Sequence, residues 1–487
     1  MQQSKNATHN SQTRPSVLWG RLVLCIALGF FIFLLPRPEG LGAEPWRVFA
    51  VFMGVVAGFV LRPLGMAPTV LLALLALAVP GTVDYKELIR NGYGHSTVWL
   101  VVAAFLIADA VEKTGLGRRL ALLLMRLLGR TVMGLGYAIA ASELILAPFI
   151  PSNTARGGGV ISPIVIGLAE SLGSKPGETS RLAGSYLVQV GGHANLVASA
   201  MFLTAMAGNT LIPSQVKGHL GIDFDYGAWV KGSIVPGLLS LALVPFVVRI
   251  LEPPVVRDVS RVRARVGDEL RALGPWKREE VSLVLLLLAL LVLWTLGGHL
   301  EPYGLHLGTT TVALLGVVAV VVMRIRSWQE VASTWRAWDA LIWVGGFVAI
   351  AEALKSSGLT FWFADRIEGS LSGWGTIGSV VLLAVVYFFS MYFFSQLTAH
   401  IAALAGAFFI VAAHVDSPPF LAAALIAYFS CLCGAMTPWS SGPVIVYFQH
   451  GYVSVGRWMR NGLCMAILHL AIWLTIGMAW WKWLGWW

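Results

Sequence analysis

Charged side chains are scarce in this 487-residue chain: Asp, Glu, Lys and Arg together make up 12%, about half the share of a typical soluble domain. An ordinary water-soluble fold is thereby excluded, because 57% of the residues are hydrophobic and one chain of this length cannot hide them all from water. Cysteine is scarce as well. Cys25, Cys431, Cys433 and Cys464 lie within or beside apolar segments, at spacings that support neither a disulfide framework nor a four-ligand zinc site. They read as small buried hydrophobes. Catalytic signatures are missing too: there is no Gly-x-Ser-x-Gly elbow, no phosphate loop with its lysine and no His-Glu-x-x-His helix. A membrane-embedded enzyme or a sensor stays only a distant alternative.

Long apolar runs are what the chain has in abundance. Val281–Trp294, Gly232–Val248, Leu463–Trp481 and Thr310–Met323 with its flanks suit a hydrocarbon core of ~30 Å, which a helix of ~20 apolar residues crosses. Lipid offers the backbone no hydrogen-bond partner, so these segments are expected as helices and not strands. Breaks between runs place spans near 17–35, 46–62, 67–80, 97–113, 179–211, 229–249, 280–298, 308–325, 339–354, 419–450 and 460–484. The expected fold is an all-α polytopic membrane protein of about 11 transmembrane helices.

The formal net charge of +10 does not point to nucleic acid, because the basic residues are scattered through short connections as the positive-inside rule predicts. The densest group, Arg257, Arg261, Arg263, Arg265, Arg271, Lys277 and Arg278, reads as part of a cytoplasmic loop, with a lipid-binding basic patch as the alternative. Residues 1–16 are expected as a cytoplasmic N-terminus. The length of Leu22–Leu35 alone would suit a signal-peptide core, but the later spans favour a retained first helix. The Asn6-Ala7-Thr8 sequon is too common by chance to use.

An internal repeat organises the spans. Adding 243 to Ala108-Asp109-Ala110, Gly115 and Leu116 lands on Ala351-Glu352-Ala353, Gly358 and Leu359. Adding 244 takes Thr154-Ala155-Arg156 to Thr398-Ala399-His400, and adding 242 takes Gly192 to Gly434 and Asn195 to Thr437. Two halves starting on opposite sides of the bilayer would form inverted repeats, which bind substrate near the midplane where their broken helices meet. The first half divides into 17–130 (scaffold helices and the start of a transport domain), 131–175 (a re-entrant hairpin) and 176–250. After the basic cytoplasmic loop 251–279, the second half divides into 280–372, 373–416 (the second hairpin) and 417–487.

The two hairpins are expected from apolar stretches interrupted by polar, turn-prone residues. In the first, Pro151 helps stop one helix, and Ser152, Asn153 and Thr154 are residue types that cap the next. Irregular backbone at membrane depth is tolerated only where it is buried or lines a wet cavity. The N-terminus of the second half-helix presents free N–H groups and about half a positive charge, suited to a carboxylate or another anion. Ser395-Gln396-Leu397-Thr398-Ala399-His400 interrupts the second stretch at the matching place. Arg156 and His400 then occupy equivalent positions, and an ionisable group inside a membrane is by default functional. Arg156 could grip a carboxylate with two parallel hydrogen bonds, while His400 could donate a neutral hydrogen bond or titrate.

A second matched pair, Gly191-Gly192-His193-Ala194-Asn195 and Cys433-Gly434-Ala435-Met436-Thr437-Pro438, reads either as unwound turns whose carbonyls bind cations or close the anion site, or as helix-packing glycines. Candidate substrate-binding residues are therefore Ser152, Asn153, Thr154, Arg156, Asn195, Gln396, Thr398, His400, Thr437 and Pro438. No cofactor or metal is expected for an exchanger. Were Na⁺ coupled, Ser152, Asn153, Gly192, Gln396 and Gly434 would be its candidate ligands. Asp109 and Glu352 coincide under the repeat and could handle charge or pair with a neighbouring base. Glu143 has no acidic repeat-mate and receives no role.

These residues resemble a known family. Pro151 to Gly159, Leu397-Thr398-Ala399-His400, Ser199 to Ala207 and Gly451-Tyr452-Val453 are similar to the divalent anion:sodium symporters, and within them to the citrate/succinate, tartrate/succinate and 2-oxoglutarate/malate exchangers. The likeness covers nearly the whole chain. It implies a homodimer in which a mobile transport domain carries both hairpins past a scaffold as an elevator. It also implies obligatory exchange of di- or tricarboxylates across a bacterial-type inner membrane, with basic groups at the positions of Arg156 and His400 supplying charge that Na⁺ supplies in the symporters. Na⁺-coupled symport of the same substrates is the alternative.

Overall fold

The computed structural model describes residues 15–296, 304–359, 362 and 375–487. Outside them lie the start of the N-terminal stretch with its sequon, the end of the expected span 280–298 and the residues leading into the second hairpin. The described residues form helices and turns without a strand, and seven helices among them are long and apolar enough to cross a membrane. The chain divides into two compact units, one of residues 1–95 and 342–363 and another of residues 96–341 and 364–487.

In the smaller unit, helix Pro15–Leu34 packs on Ala43–Leu61, which packs in turn on Met66–Ala78. Small residues set these approaches. A Cβ at Gly29 would lie 3.1 Å from the Ala50 carbonyl oxygen, and one at Gly58 would lie 2.6 Å from the Thr69 methyl. Ala43–Leu61 ends at Arg62, whose N–H still donates to the Gly58 carbonyl and whose left-handed φ of 50° turns the chain out of the helix, after which Pro63 prevents continuation. Phe347 packs on Phe59 with ring centroids 6.2 Å apart.

The larger unit carries both interrupted stretches. Ser96–Thr114 packs on Thr309–Val322, and at one end Asp109 pairs with Arg326 at 3.8 Å. Asp109 thus has the neighbouring base considered from sequence. Glu352, in the smaller unit, lies 3.9 Å from Lys355 on its own helix. Helix Leu116–Leu128 was not among the expected spans. Its apolar face is buried, and its buried Arg119 pairs with Glu280 at 2.9 Å while donating to the carbonyls of Leu273, Gly274 and Pro275. Within the basic segment read as a loop, Ser260–Ala272 is helical. Val262 and Val266, one turn apart, seat it against Leu116–Leu128 and against Ser162–Ser171. Three of the cysteines are buried, but Cys464 is exposed.

Of the two readings of the matched glycine pair, packing holds in the first half and unwinding in the second. Gly184–Met201 is an unbroken helix through Gly191, Gly192, His193, Ala194 and Asn195, and the chain unwinds only afterwards, between Phe202 and Leu211. The glycines serve packing. A Cβ at Gly191 would sit 2.5 Å from the Tyr447 ring, and one at Gly192 would sit 3.2 Å from Trp458. The corresponding break in the second half does open at Gly434, in the turn from Cys433 to Ser441 between helices Pro419–Leu432 and Gly442–Gln449.

Candidate substrate site

The first hairpin descends through Val132–Leu146, loses helical geometry before Pro151, and resumes as a π-helical stretch over Thr154–Ile161 that leads into Ser162–Ser171. Ser152 starts the second arm: its Oγ accepts from the Ala155 N–H at 3.1 Å, and its carbonyl accepts from the Arg156 N–H at 2.9 Å. The π turn widens the helix locally, a distortion concentrated at functional sites. Gly157 is required there, because a Cβ would lie 2.6 Å from Asn195 Nδ2 and 3.1 Å from Glu143 Oε1.

Arg156 is fully buried and fills a cage of oxygens. Its Nε donates to Glu143 Oε2 at 2.7 Å, Nη1 to the carbonyls of Ile150 at 3.0 Å and Ala205 at 2.8 Å, and Nη2 to Ser199 Oγ at 2.8 Å. The free fork expected from sequence is therefore committed inside the protein, because a buried guanidinium without a partner is too costly to keep. Glu143, left without a role by its sequence, is that partner. Asn195 Nδ2 adds a bond to Glu143 Oε2 at 2.8 Å and another to the Asn153 carbonyl at 3.2 Å. Ser199 in turn donates to the Asn195 carbonyl. Glu143 and Ser199 are the members of this cluster that sequence reasoning missed. The signal for Glu143 was a lone carboxylate on an apolar helix thirteen residues before the hairpin's arginine.

The second hairpin runs through Gly375–Ser390 and a 3₁₀ turn, Met391–Phe393, to an extended Gln396. Leu397–His400 begins the second arm, and a π-helical stretch, Ile401–Ala405, follows. Gln396 offers its carbonyl to the His400 N–H at 3.1 Å. His400 is fully buried, with Nε2 2.8 Å from Ser390 Oγ and its ring 4.4 Å from Tyr387 and 5.2 Å from Phe394.

Each tip rests on the broken region of the other half. Thr154 abuts Gly442, and the first tip packs along Gly442–Gln449. Thr398 lies beside Gly208, where a Cβ would be 3.2 Å from its hydroxyl, and the second tip packs along Ala207–Leu211. Gly434 approaches Leu397 of the second tip and Gly442, directly after the turn, meets Thr154 of the first, so the turn holding buried Thr437 and Pro438 borders both tips. Asn195, Asn153 and Arg156 are thus gathered in one network, and Ser152 and Thr154 lie at its edge. Of the carbonyls considered for Na⁺, that of Gly192 lies within a helix and that of Gly434 accepts from Ser440 Oγ at 2.6 Å.

Apolar spans surrounding two broken hairpins with polar tips define a polytopic membrane transporter. The chain belongs to the family described as the sodium:sulfate symporter transmembrane region, whose model matches residues 16–487. It is 38% identical to YflS of Bacillus subtilis (strain 168), a protein named as a candidate malate transporter, over 96% of each chain. It is 34% identical to the L-tartrate/succinate antiporter of Escherichia coli (strain K12), over 96% of this chain and 99% of that one. The chloroplastic dicarboxylate transporter 1 of Spinacia oleracea is 33% identical, over 96% and 81%. Among solved structures, the Alcanivorax borkumensis YdaH transporter superposes with a TM-score of 0.56 at 16% identity, covering 97% of this chain and 98% of that one. Neisseria gonorrhoeae MtrF gives 0.58 at 13%, covering 96% and 94%. Those two likenesses concern the fold alone. Family membership makes the chain an integral multi-pass membrane transporter and not an enzyme.

Proposed function

We propose that this transporter exchanges di- or tricarboxylates across a bacterial inner membrane without needing Na⁺. The observation that carries this reading is the Arg156 cage. Two carbonyls, a hydroxyl and a carboxylate at 2.7–3.0 Å are hard oxygen donors of the kind that broken transporter helices offer to Na⁺. Here a tethered guanidinium takes that place and cannot dissociate. The names of the relatives support carboxylates as the cargo.

In this reading the anion sits between the tips. Ser152, Asn153 and Thr154 at the start of one π-helical arm, Gln396 and Thr398 at the start of the other, and Thr437 and Pro438 in the adjoining turn surround it. Helix-start N–H groups and hydroxyls meet the carboxylates. Arg156 holds the first tip in shape, and His400 holds the second. The transporter works as a homodimeric elevator whose moving part carries both hairpins.

Proteoliposomes test the coupling. Labelled succinate should enter only vesicles preloaded with a dicarboxylate, at the same rate in Na⁺ and in K⁺ buffers. Uptake driven by a Na⁺ gradient into empty vesicles would replace exchange by the symport that the family's name describes. A counter-flow competition among succinate, malate, tartrate, citrate and 2-oxoglutarate then ranks the cargo.

A further inference from the structure

Away from both tips, the smaller unit carries an apolar groove of about 520 Å³ between helices Pro15–Leu34, Ala43–Leu61 and Met66–Ala78. Gly29, Gly54 and Gly58 are among its lining residues, at the points where the three helices approach most closely. It extends along the first helix from Leu22 to Phe33, eleven residues or roughly 16 Å at the helical rise. That is about half of the ~30 Å hydrocarbon core, the depth of one lipid leaflet.

The groove is not apolar throughout. Arg47 forms part of its wall, at the end shared with Phe33, Pro80 and Thr82. It is exposed and makes no hydrogen bond or ion pair among the described residues. It sits in the second turn of its helix next to Trp46, and aromatic and basic residues together mark the headgroup level of a membrane. At the opposite end, Arg21 donates to the Leu61 carbonyl at 3.3 Å, and Arg62 is exposed outside the lining.

We infer that this groove is a binding site for one anionic phospholipid, with an acyl chain along its apolar lining and the phosphate on Arg47. The dimension matches one chain in one leaflet, and the single cation in the wall matches one phosphate diester. A second copy of the protein is the poorer occupant, because a two-fold contact presents the same patch from both sides and so adds a second Arg47 to an unneutralised first.

Native mass spectrometry of the full-length protein in detergent, titrated with phosphatidylglycerol or with phosphatidylcholine of the same acyl chains, tests this. The wild type should retain the anionic lipid at one site per chain, preferred roughly fivefold, the equivalent of about 1 kcal/mol for one basic group at a membrane surface. Arg47→Gln should abolish the preference but keep weak binding of both lipids. Ala76→Trp, at an exposed position of the lining, should block both while leaving the unfolding temperature in lipid-free detergent unchanged. Equal retention of the two lipids by the wild type, a preference that survives Arg47→Gln but not Arg62→Gln, or a groove substitution that changes only the oligomeric mass would each overturn the inference.

Discussion

In the first hairpin the basic residue of the tip, Arg156, satisfies four acceptors and is neutralised by Glu143 at 2.7 Å. In the second, the ring of its counterpart His400 meets Ser390 Oγ at 2.8 Å and is wedged between Tyr387 and Phe394. Both tips open into a π-helical stretch, and both rest on a glycine of the opposite half. The difference teaches how burial is made tolerable. A guanidinium stays charged, so it enters a low-dielectric interior only with a carboxylate and a full set of acceptors. An imidazole can be neutral, and aromatic walls suffice for it.

The sharpest way to break this comparison is to remove the acid. Glu143→Ala leaves Arg156 charged and unpaired, and should cost about 3–5 kcal/mol of stability, more than any single substitution in the second hairpin. Thermal unfolding in detergent measures it. Replacing both partners, Glu143→Leu with Arg156→Leu, should recover most of that loss while carboxylate exchange stays absent. A neutral Glu143→Ala would mean that the first tip is held by packing, like the second.

Next in size is Arg156→Lys, which keeps the charge but not the fork. One ammonium cannot reach carbonyls, hydroxyl and carboxylate arrayed around three guanidinium nitrogens. Exchange in a counter-flow assay should fall at least tenfold, about 1.4 kcal/mol, with most of the stability retained. Unchanged exchange would reduce Arg156 to a source of charge.

Much of this arrangement could be read from the sequence, and the reasons for the rest are physical. Apolar runs indicated the spans directly, and Pro151 with Ser152 indicated the first break because each blocks or caps a helix whatever surrounds it. Gly191 and Gly192 left two readings open because a glycine in an apolar segment serves unwinding and close packing equally. The rings that decide the matter, Tyr447 and Trp458, come from the far end of the chain. The amphipathic helices Leu116–Leu128 and Ser260–Ala272 escaped a search for apolar runs, since only one face of each is buried. Glu143 had no partner until folding brought Arg156 and Asn195 to it.

A smaller effect separates the two glycine seats. A Cβ at Gly442 would overlap the Thr154 hydroxyl, and a β-branched side chain has little rotamer freedom to move away. Gly442→Ala should therefore destabilise by about 1–3 kcal/mol and weaken substrate affinity, with Thr154→Ala restoring stability in the double variant. Gly208→Ala meets the end of Ile401, at 2.9 Å, and the Thr398 hydroxyl at 3.2 Å, so it should cost less. Reversal of that order would place the more tightly seated tip in the second half.

The smallest expected effect falls on the second tip. Ser390 Oγ, which also donates to the Tyr387 carbonyl at 2.8 Å, lies 2.8 Å from His400 Nε2, and Nδ1 has no partner among the described residues. Ser390→Ala removes a neutral hydrogen bond worth about 1 kcal/mol but leaves the ring between Tyr387 and Phe394, so the tip should keep its place. Unfolding temperature should drop by only a few degrees, and exchange should change by less than about fivefold, the equivalent of that 1 kcal/mol. If Ser390→Ala instead abolished exchange as completely as Arg156→Lys, His400 would depend on that one bond as Arg156 depends on its cage, and the second tip would be polar machinery of the same kind as the first.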